Sequence, residues 1–454
     1  MRRMTLTLLL VATVAAFLGC GSQEADDTLM VVTPHWEGIL DEFGDAFEAK
    51  WEEETGRTLN IVWLDQGGSS AIRRFIESQF NAKPEGIGVD LFFGGGVDPH
   101  IWLKESGFAH PYQLPDSILS RIPESFAGIP MYDEDGAWYG ATMSGFGIIY
   151  NRAVAGAQGI DVPETWEDMG KTEMNNWVFA GDPRSSGSVH MAYEIILQAY
   201  GWEHGWEVIT PMTANSRSFA RSSSEIPRAV TRGDALAGMC IDFYAWTEVA
   251  RAGDQIGFVY PENHTAVNPD AISILRGAPS LPIAERFVRF VMSEEGQRIW
   301  AFKKGAPGGP QETVLSRFTV MPDLYEKYPD YIAVDINPFE WDITFHYDPD
   351  KGSVRWNVIN DLIGALCIDS QAELDAAWQA LVARDEVEEG LAALSLPPVT
   401  EEQAMALSAR WREDQGFRNA QISRWTQFAR EKYDRVARGA YEPLTPPGIP
   451  EEQR

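Results

Sequence analysis

Two segments place hydroxyls and glycines where a helical pattern begins. Gly67-Gly68-Ser69-Ser70 precedes Ile72, Phe75, Ile76 and Phe80, and Asp182-Pro183-Arg184-Ser185-Ser186-Gly187-Ser188 precedes Met191 and Ile195. Free backbone N–H groups at a helix start, with serine hydroxyls beside them, hold carboxylate, phosphate or sulfonate well. Glycine adds left-handed dihedrals and lets a ligand approach the backbone closely. Arg184, inside its polar loop, can supply a bidentate clamp. The same serines can instead cap their helices, and their recurrence in two distant segments favours the binding role. Arg73 and Arg74 oppose the dipole of their helix by about 0.3–1 kcal/mol each, so an anion beside them is expected, either a ligand or a surface acid.

A second set of candidates stands at the ends of apolar runs: Thr33, His35 and Trp36 after Leu29-Met-Val-Val32, Gly95 after Leu91-Phe-Phe93, Ser144 after Trp138-Tyr139, and Asp242 and Tyr244 after Met239-Cys-Ile241. His35 can cap, hydrogen-bond or ligate; Trp36 can line a pocket or pack across its helix start. His35, Asp242 and Tyr244 together offer the imidazole and oxygen atoms of a metal site.

These residues need elements that bring them together. Apolar residues 29–33 suit a covered parallel strand, and Ile39, Leu40, Phe43, Phe47 and Trp51 follow at helical spacing, stopping before Gly56. The sequence repeats this layout through 59–64 and 72–80, then 89–93 and 101–103. Serial strand-loop-helix units predict a mostly parallel sheet with ligands gathered at the strand carboxyl ends. Residues 137–144 and 145–150 read as two strands interrupted by small residues, crossing into a second lobe where the layout recurs from Trp177. The stretch Ala271 to Leu275 returns the chain to the first lobe. Beyond residue 375 the spacing of Trp411, Ile422, Trp425 and Phe428 predicts helices.

The chain has 454 residues, more than one core usually supports, so two lobes are expected. A formal net charge of −30, with no broad basic stripe, excludes a general nucleic-acid binder. Arg2 and Arg3 before the apolar run Met4 to Leu18 suit a secretory signal at 1–20. Leu18-Gly19-Cys20-Gly21 resembles a bacterial lipobox, which implies lipidation of Cys20 and a polar tether over 21–28. Cys240 and Cys367 are left, either paired or singly buried. No Cys/His spacing marks a zinc site.

The lipobox-like start, "VVTPHW", "GGSS", "DLFFGGG", "GIIYNR", "PETWEDM", "GDPRSSGS", "CIDFYAW", "AVNPDAISIL" and "FVRFVMSEEGQRIWA" together resemble an extracellular solute-binding protein of an ABC importer, near the ferric-iron-binding branch. The resemblance spans roughly residues 1 to 370. It implies a two-lobe, hinged class II periplasmic-binding fold: lobe 1 at 29–143 plus 264–375, lobe 2 at 144–263, and an α-helical extension at 376–454 packing on the lobes. It also implies delivery of a captured solute to a membrane permease, without chemistry or cofactor; with the export signal and the hydroxyl-rich helix starts, the expectation is a lipid-anchored monomer outside the cytoplasm that takes a small, anionic solute. Ferric relatives use adjacent tyrosines, whereas Phe243-Tyr244 stands here, so one phenolate is missing and iron through His35, Asp242 and Tyr244 is the alternative reading. A carbohydrate-active lipoprotein is a second alternative, although no nucleophile elbow, zinc-protease motif or phosphate loop is present. A lobe reporting to a sensor protein is a third.

Overall fold

A computed structural model describes residues 25–341 and 345–448. The expected signal peptide with Cys20, and tether residues 21–24, lie outside them. Strand β1 (Asp27–Val32) starts inside the expected tether, because Asp27 already pairs in parallel with Leu59 of β2 (Leu59–Leu64). Helix α1 (Glu37–Thr55) buries Ile39, Phe43, Phe47 and Trp51 along one stripe and stops at Gly56, whose φ of 70° is left-handed. Helix α2 (Ser69–Ala82), β3 (Leu91–Phe93) and α3 (Asp98–Glu105) complete the expected serial units.

Residues 139–151 form one strand, β4 (Tyr139–Asn151), where the sequence suggested two. The small residues mark close passage of the neighbouring chain: a Cβ at Gly147 would lie 2.2 Å from the Val259 carbonyl oxygen. The second half of the chain adds β5 (Val178–Gly181), α4 (Gly187–Ala199), α5 (Trp202–Ala214), β6 (Ser216–Ala220), α6 (Glu225–Arg232), β7 (Ala237–Ile241), α7 (Asp242–Ala252), β8 (Ile256–Val259) and β9 (Val267–Leu275). The sheet runs β2-β1-β3-β9-β4-β7-β5-β6. Up to Gly145, β4 pairs antiparallel with β9; from Phe146 onward it pairs with β7 and β8. The chain thus passes between lobes in β4 and again between β8 and β9. One core gathers Phe43, Phe47, Phe93, Phe287 and Trp300; the other gathers Trp166, Tyr193, Trp206 and Met212.

The helical region begins earlier than residue 376, with α8 (Pro349–Ile363) and α9 (Gln371–Arg384), and continues through α10 (Glu401–Glu413) and α11 (Gln415–Ala437). Its Trp378, Trp411, Trp425 and Tyr433 share one core with the second lobe. Helix α8 also touches the first: Trp356 Nε1 donates to Ser70 Oγ at 3.0 Å, and Arg73 donates to the Ser353 carbonyl. Opposite them, Asn360 Oδ1 meets His190 Nδ1 of α4 at 2.8 Å. The helix therefore ties the start of α2 to α4. Around residues 339–348, Trp341 packs against Tyr260 while Tyr347 donates to the Asp98 carboxylate, and neither faces the main cavity. Cys240 and Cys367 are free, buried in separate clusters.

Candidate functional site

A cavity of about 560 Å³ lies where the strand ends of both lobes converge, a size suited to a small organic molecule. Among the sequence candidates, Thr33, His35, Trp36, Gly68, Ser69, Gly95, Ser144, Ser186 and Tyr244 line it. Ser70, Arg184, Ser185 and Asp242 do not. Ser70 Oγ donates to the Pro183 carbonyl at 3.1 Å across the lobes. The Ser185 carbonyl oxygen packs so closely on Gly68 that a Cβ there would lie 2.3 Å from it. Arg184 spends its fork on Asp182 and on Asp369, at 2.9 Å each, so it fastens its loop to the helical region and cannot clamp a ligand. Arg73 is buried over the Trp102 ring at 4.7 Å, and Arg74 donates to the Arg184 carbonyl; both cations are satisfied away from the cavity.

Part of the lining is a cluster of helix starts. Ser69 opens α2, Ser186 caps α4, and Arg221-Ser222-Ser223-Ser224 leads into α6; all of these residues line the cavity. Ser186 Oγ accepts from Val189 N, so its capping role is real and coexists with its place on the wall. Ser188 Oγ donates to Ser223 Oγ at 3.3 Å, joining two of the loops. Gly187 permits the approach: a Cβ there would fall 2.6 Å from the Ser69 Cβ. Arg221 is exposed and makes no ion pair among the described residues.

Another part of the lining is a buried ion pair that the sequence did not single out. Arg317 Nη1 donates to Asp270 Oδ2 at 2.7 Å and to Ser144 Oγ at 2.8 Å, and its guanidinium stacks 3.6 Å from the Phe243 ring centre. Asp270 Oδ2 also meets His35 Nε2 at 3.0 Å, and its Oδ1 accepts from Gly96 N at 2.9 Å. Burial alone would raise the Asp270 carboxyl; Arg317, His35 and the Gly96 amide outweigh it and hold it well below the usual range. Burial lowers His35, so the ring is neutral. Asn268 and Asp270 sit two apart on β9 and share its face with Ser144, which pairs with Asn268. Two polar residues at that spacing inside "AVNPDAISIL", and a lone arginine in the apolar "VLSRFTV", were the available signals.

Asp242 lies behind the wall, where Oδ2 accepts from Gly145 N at 2.5 Å and from Tyr260 Oη at 3.1 Å. Burial pushes its carboxyl up to about 7 from 3.8, against the pull of the Gly145 amide, Arg317 and Tyr260. Because the folded value is the higher one, its stabilising protonated form is fully present below pH 3.8 and is lost as pH rises through about 7. Asp242→Asn mimics the protonated state. Between pH 4 and 8 the stability difference should move in the variant's favour by on the order of 2–4 kcal/mol, read by urea unfolding at each pH; a flat difference would show Asp242 ionised throughout.

His35, Asp242 and Tyr244 are not an open ligand set. His35 Nε2 and Asp242 Oδ2 are bonded within the protein, and burial pushes the Tyr244 phenol up to about 12, away from phenolate. Among the described residues no group of three or more His, Cys, Asp or Glu is placed to hold a metal ion, and no helix is long and apolar enough to cross a membrane.

Residues 88–332 match the family of bacterial extracellular solute-binding proteins. An uncharacterised protein of Haemophilus influenzae is 27% identical over 288 residues, 63% of this chain and 78% of its own length. The phosphoglycerate transport regulatory protein PgtC of Salmonella typhimurium is 28% identical over 159 residues, 35% of this chain and only 39% of PgtC. The periplasmic binding protein AfuA of Actinobacillus pleuropneumoniae, solved with exogenous fructose-6-phosphate bound, has a TM-score of 0.54 at 20% identity, covering 68% of this chain and 100% of AfuA. The ferric binding protein of Campylobacter jejuni reaches 0.54 at 15% identity, covering 77% of this chain and 99% of that one. At such identities the two structures share the fold.

Proposed function

Since the chain belongs to the bacterial extracellular solute-binding protein family, whose members deliver small molecules to ABC permeases, we propose that its solute is a small organic anion bearing a phosphate group. The observation that carries this reading is the convergence on the cavity of three helix starts, their serines and Arg221, which has no ion pair among the described residues. Backbone N–H groups, hydroxyls and a guanidinium form the donor set that a phosphate's oxygens need. The phosphate compounds in the names of PgtC and the AfuA complex point the same way. The net charge of −30 is no obstacle, because surface charges beyond about 8 Å are screened at physiological salt.

In this reading the solute touches both lobes, 29–143 with 264–375 on one side and 144–263 on the other, favours their closed arrangement, and so marks the protein for the permease. No bond of the solute is made or broken. Lipid attached at Cys20 holds a monomer to the membrane. Ferric iron is the weaker reading, because the atoms it would need on His35 and Asp242 already have partners within the protein.

A thermal-shift screen of phosphate esters, inorganic phosphate, sulfonates, dicarboxylates, oligosaccharides and ferric citrate tests the proposal. A phosphate ester at 100 times its Kd should add roughly 2.7 kcal/mol of stability. Arg221→Ala should weaken that ligand about 10- to 100-fold, the loss of a charge-assisted bond, while the ligand-free melting temperature stays within about 2 °C, as for a surface change. A melt raised only by ferric citrate or by an uncharged sugar would contradict it.

A further inference from the structure

Ser70 uses its whole hydroxyl to join three segments. Its Oγ donates to the Pro183 carbonyl at 3.1 Å and accepts from Trp356 Nε1 at 3.0 Å and from Asn360 Nδ2 at 3.4 Å. One donor and two lone pairs are all that a hydroxyl has, so the start of α2, the loop before α4 and helix α8 are fixed to one another at a single buried atom. Two further bonds cross beside it. Tyr347 Oη donates to the Asp98 carboxylate of α3 at 3.1 Å, and Arg73 of α2 donates to the Ser353 carbonyl of α8. Ser70, Arg73, Asp98 and Trp356 are each at most 2% exposed.

Helix α8 lies beyond residue 332, where the family match ends, and it is seated in the second lobe. Val358, Ile359, Leu362 and Ile363 lie in the core that holds Trp166, Tyr193 and Trp206. Arg355 is clamped on Glu194 of α4, and the Trp356 ring stacks on His190 with centroids 3.7 Å apart. A separation of the lobes therefore leaves α8 on the second and pulls Trp356 away from α2. It breaks all three bonds of the Ser70 hydroxyl and exposes aromatic surface, both of which are unfavourable. Helix α8 contributes no residue to the cavity lining. The exposed residues of that lining are Glu37, Asp65, Gly67, Arg221 and Ser222, which place the mouth between residues 65–67 of the first lobe and 221–222 of the second.

We propose that α8 is an interlobe strap: it holds the starts of α2 and α4 together whether or not a solute is present, so that solute enters and leaves at the mouth without full separation of the lobes. The strap is independent of the phosphate reading and serves any solute that the cavity admits. The closing motion is then confined to the mouth.

Hydroxyl-radical footprinting of the whole chain, freed of solute by extensive dialysis, tests the strap without a ligand. Corrected for intrinsic reactivity, Trp356 and Tyr347 should be oxidised as slowly as Trp166 in the core and far more slowly than Tyr331, which is 38% exposed. Ser70→Ala removes the junction and only one oxygen atom of buried volume. In that variant Trp356 oxidation should rise about tenfold, the effect of stranding a buried donor, while Trp166 stays slow, which shows that the variant is folded. Oxidation of Trp356 and Tyr347 at the rate of Tyr331 in the solute-free wild type would overturn the strap. So would a Ser70→Ala chain in which Trp356 remains as slow as Trp166. Neither result bears on the phosphate reading, which the thermal-shift screen decides.

Discussion

Arg355→Met should destabilise the protein by about 3–5 kcal/mol, the usual cost of stranding one member of a buried ion pair. Arg355 and Glu194 are both 0% exposed at their side chains, and Arg355 Nη2 donates to Glu194 Oε1 at 2.7 Å. A second bond runs from Arg355 Nη1 to Glu401 at 2.6 Å, so one guanidinium joins α8, α4 and the start of α10. Methionine fills the volume and removes every donor. Among the described residues, Glu194 then keeps only the Gln198 amide, at 2.7 Å, as a hydrogen-bond donor in a fully buried site. The double variant Arg355→Met/Glu194→Gln should recover much of the loss, because no uncompensated charge remains. Chemical unfolding of the two variants and the wild type reads both numbers. A single-variant loss below about 1 kcal/mol would mean that the pair behaves as a solvated one.

Arg317→Met is expected to be equally severe in stability and to affect binding as well. Without Arg317 the Asp270 carboxylate keeps, among the described residues, only His35 and the Gly96 amide, and about 3–5 kcal/mol should be lost at pH 7. The pH dependence gives the effect a signature. In the wild type the folded Asp270 value is depressed below 3.8, so its contribution is present above that value and is lost as pH falls toward the folded one. The advantage of the wild type over Arg317→Met should therefore be full at neutral pH and shrink in acid below pH 3.8. An advantage that is independent of pH would assign the loss to packing on Phe243 and Trp300 instead. Arg317→Met/Asp270→Asn should regain stability without regaining solute affinity, which separates the structural role of the pair from its place on the cavity wall.

Much of this architecture was legible in the sequence because its signals are local. Strand-loop-helix units announce themselves through period and through Gly56 at a helix end, and strand ends in such sheets converge, which placed Thr33, His35, Ser69, Gly95, Ser186 and Tyr244 around one cavity. What failed to show depends on distant partners. Arg184 looked like a ligand clamp because nothing in its loop reveals Asp369, a residue from the helical region that takes its free nitrogen. Asp270 and Arg317 meet across 47 positions, with His35 added from 235 positions away. The role of the helical region as a tie between α2 and α4 rests on Trp356 and Asn360, both inside helix α8 and apolar or neutral in pattern. The reading of residues 137–150 as two strands misjudged glycines that serve close packing and not a break.

Trp36 and Trp63 both line the cavity, so their fluorescence gives the most direct test of the central claim that a phosphate-bearing anion is held there. Titration of the wild type with 3-phosphoglycerate should change the tryptophan emission saturably at one equivalent per chain, with no inorganic phosphate released, and Arg221→Ala should shift the curve to about 10- to 100-fold higher concentration. A saturable change with ferric ion or an unphosphorylated sugar and none with any phosphate ester, or release of phosphate during the titration, would contradict it.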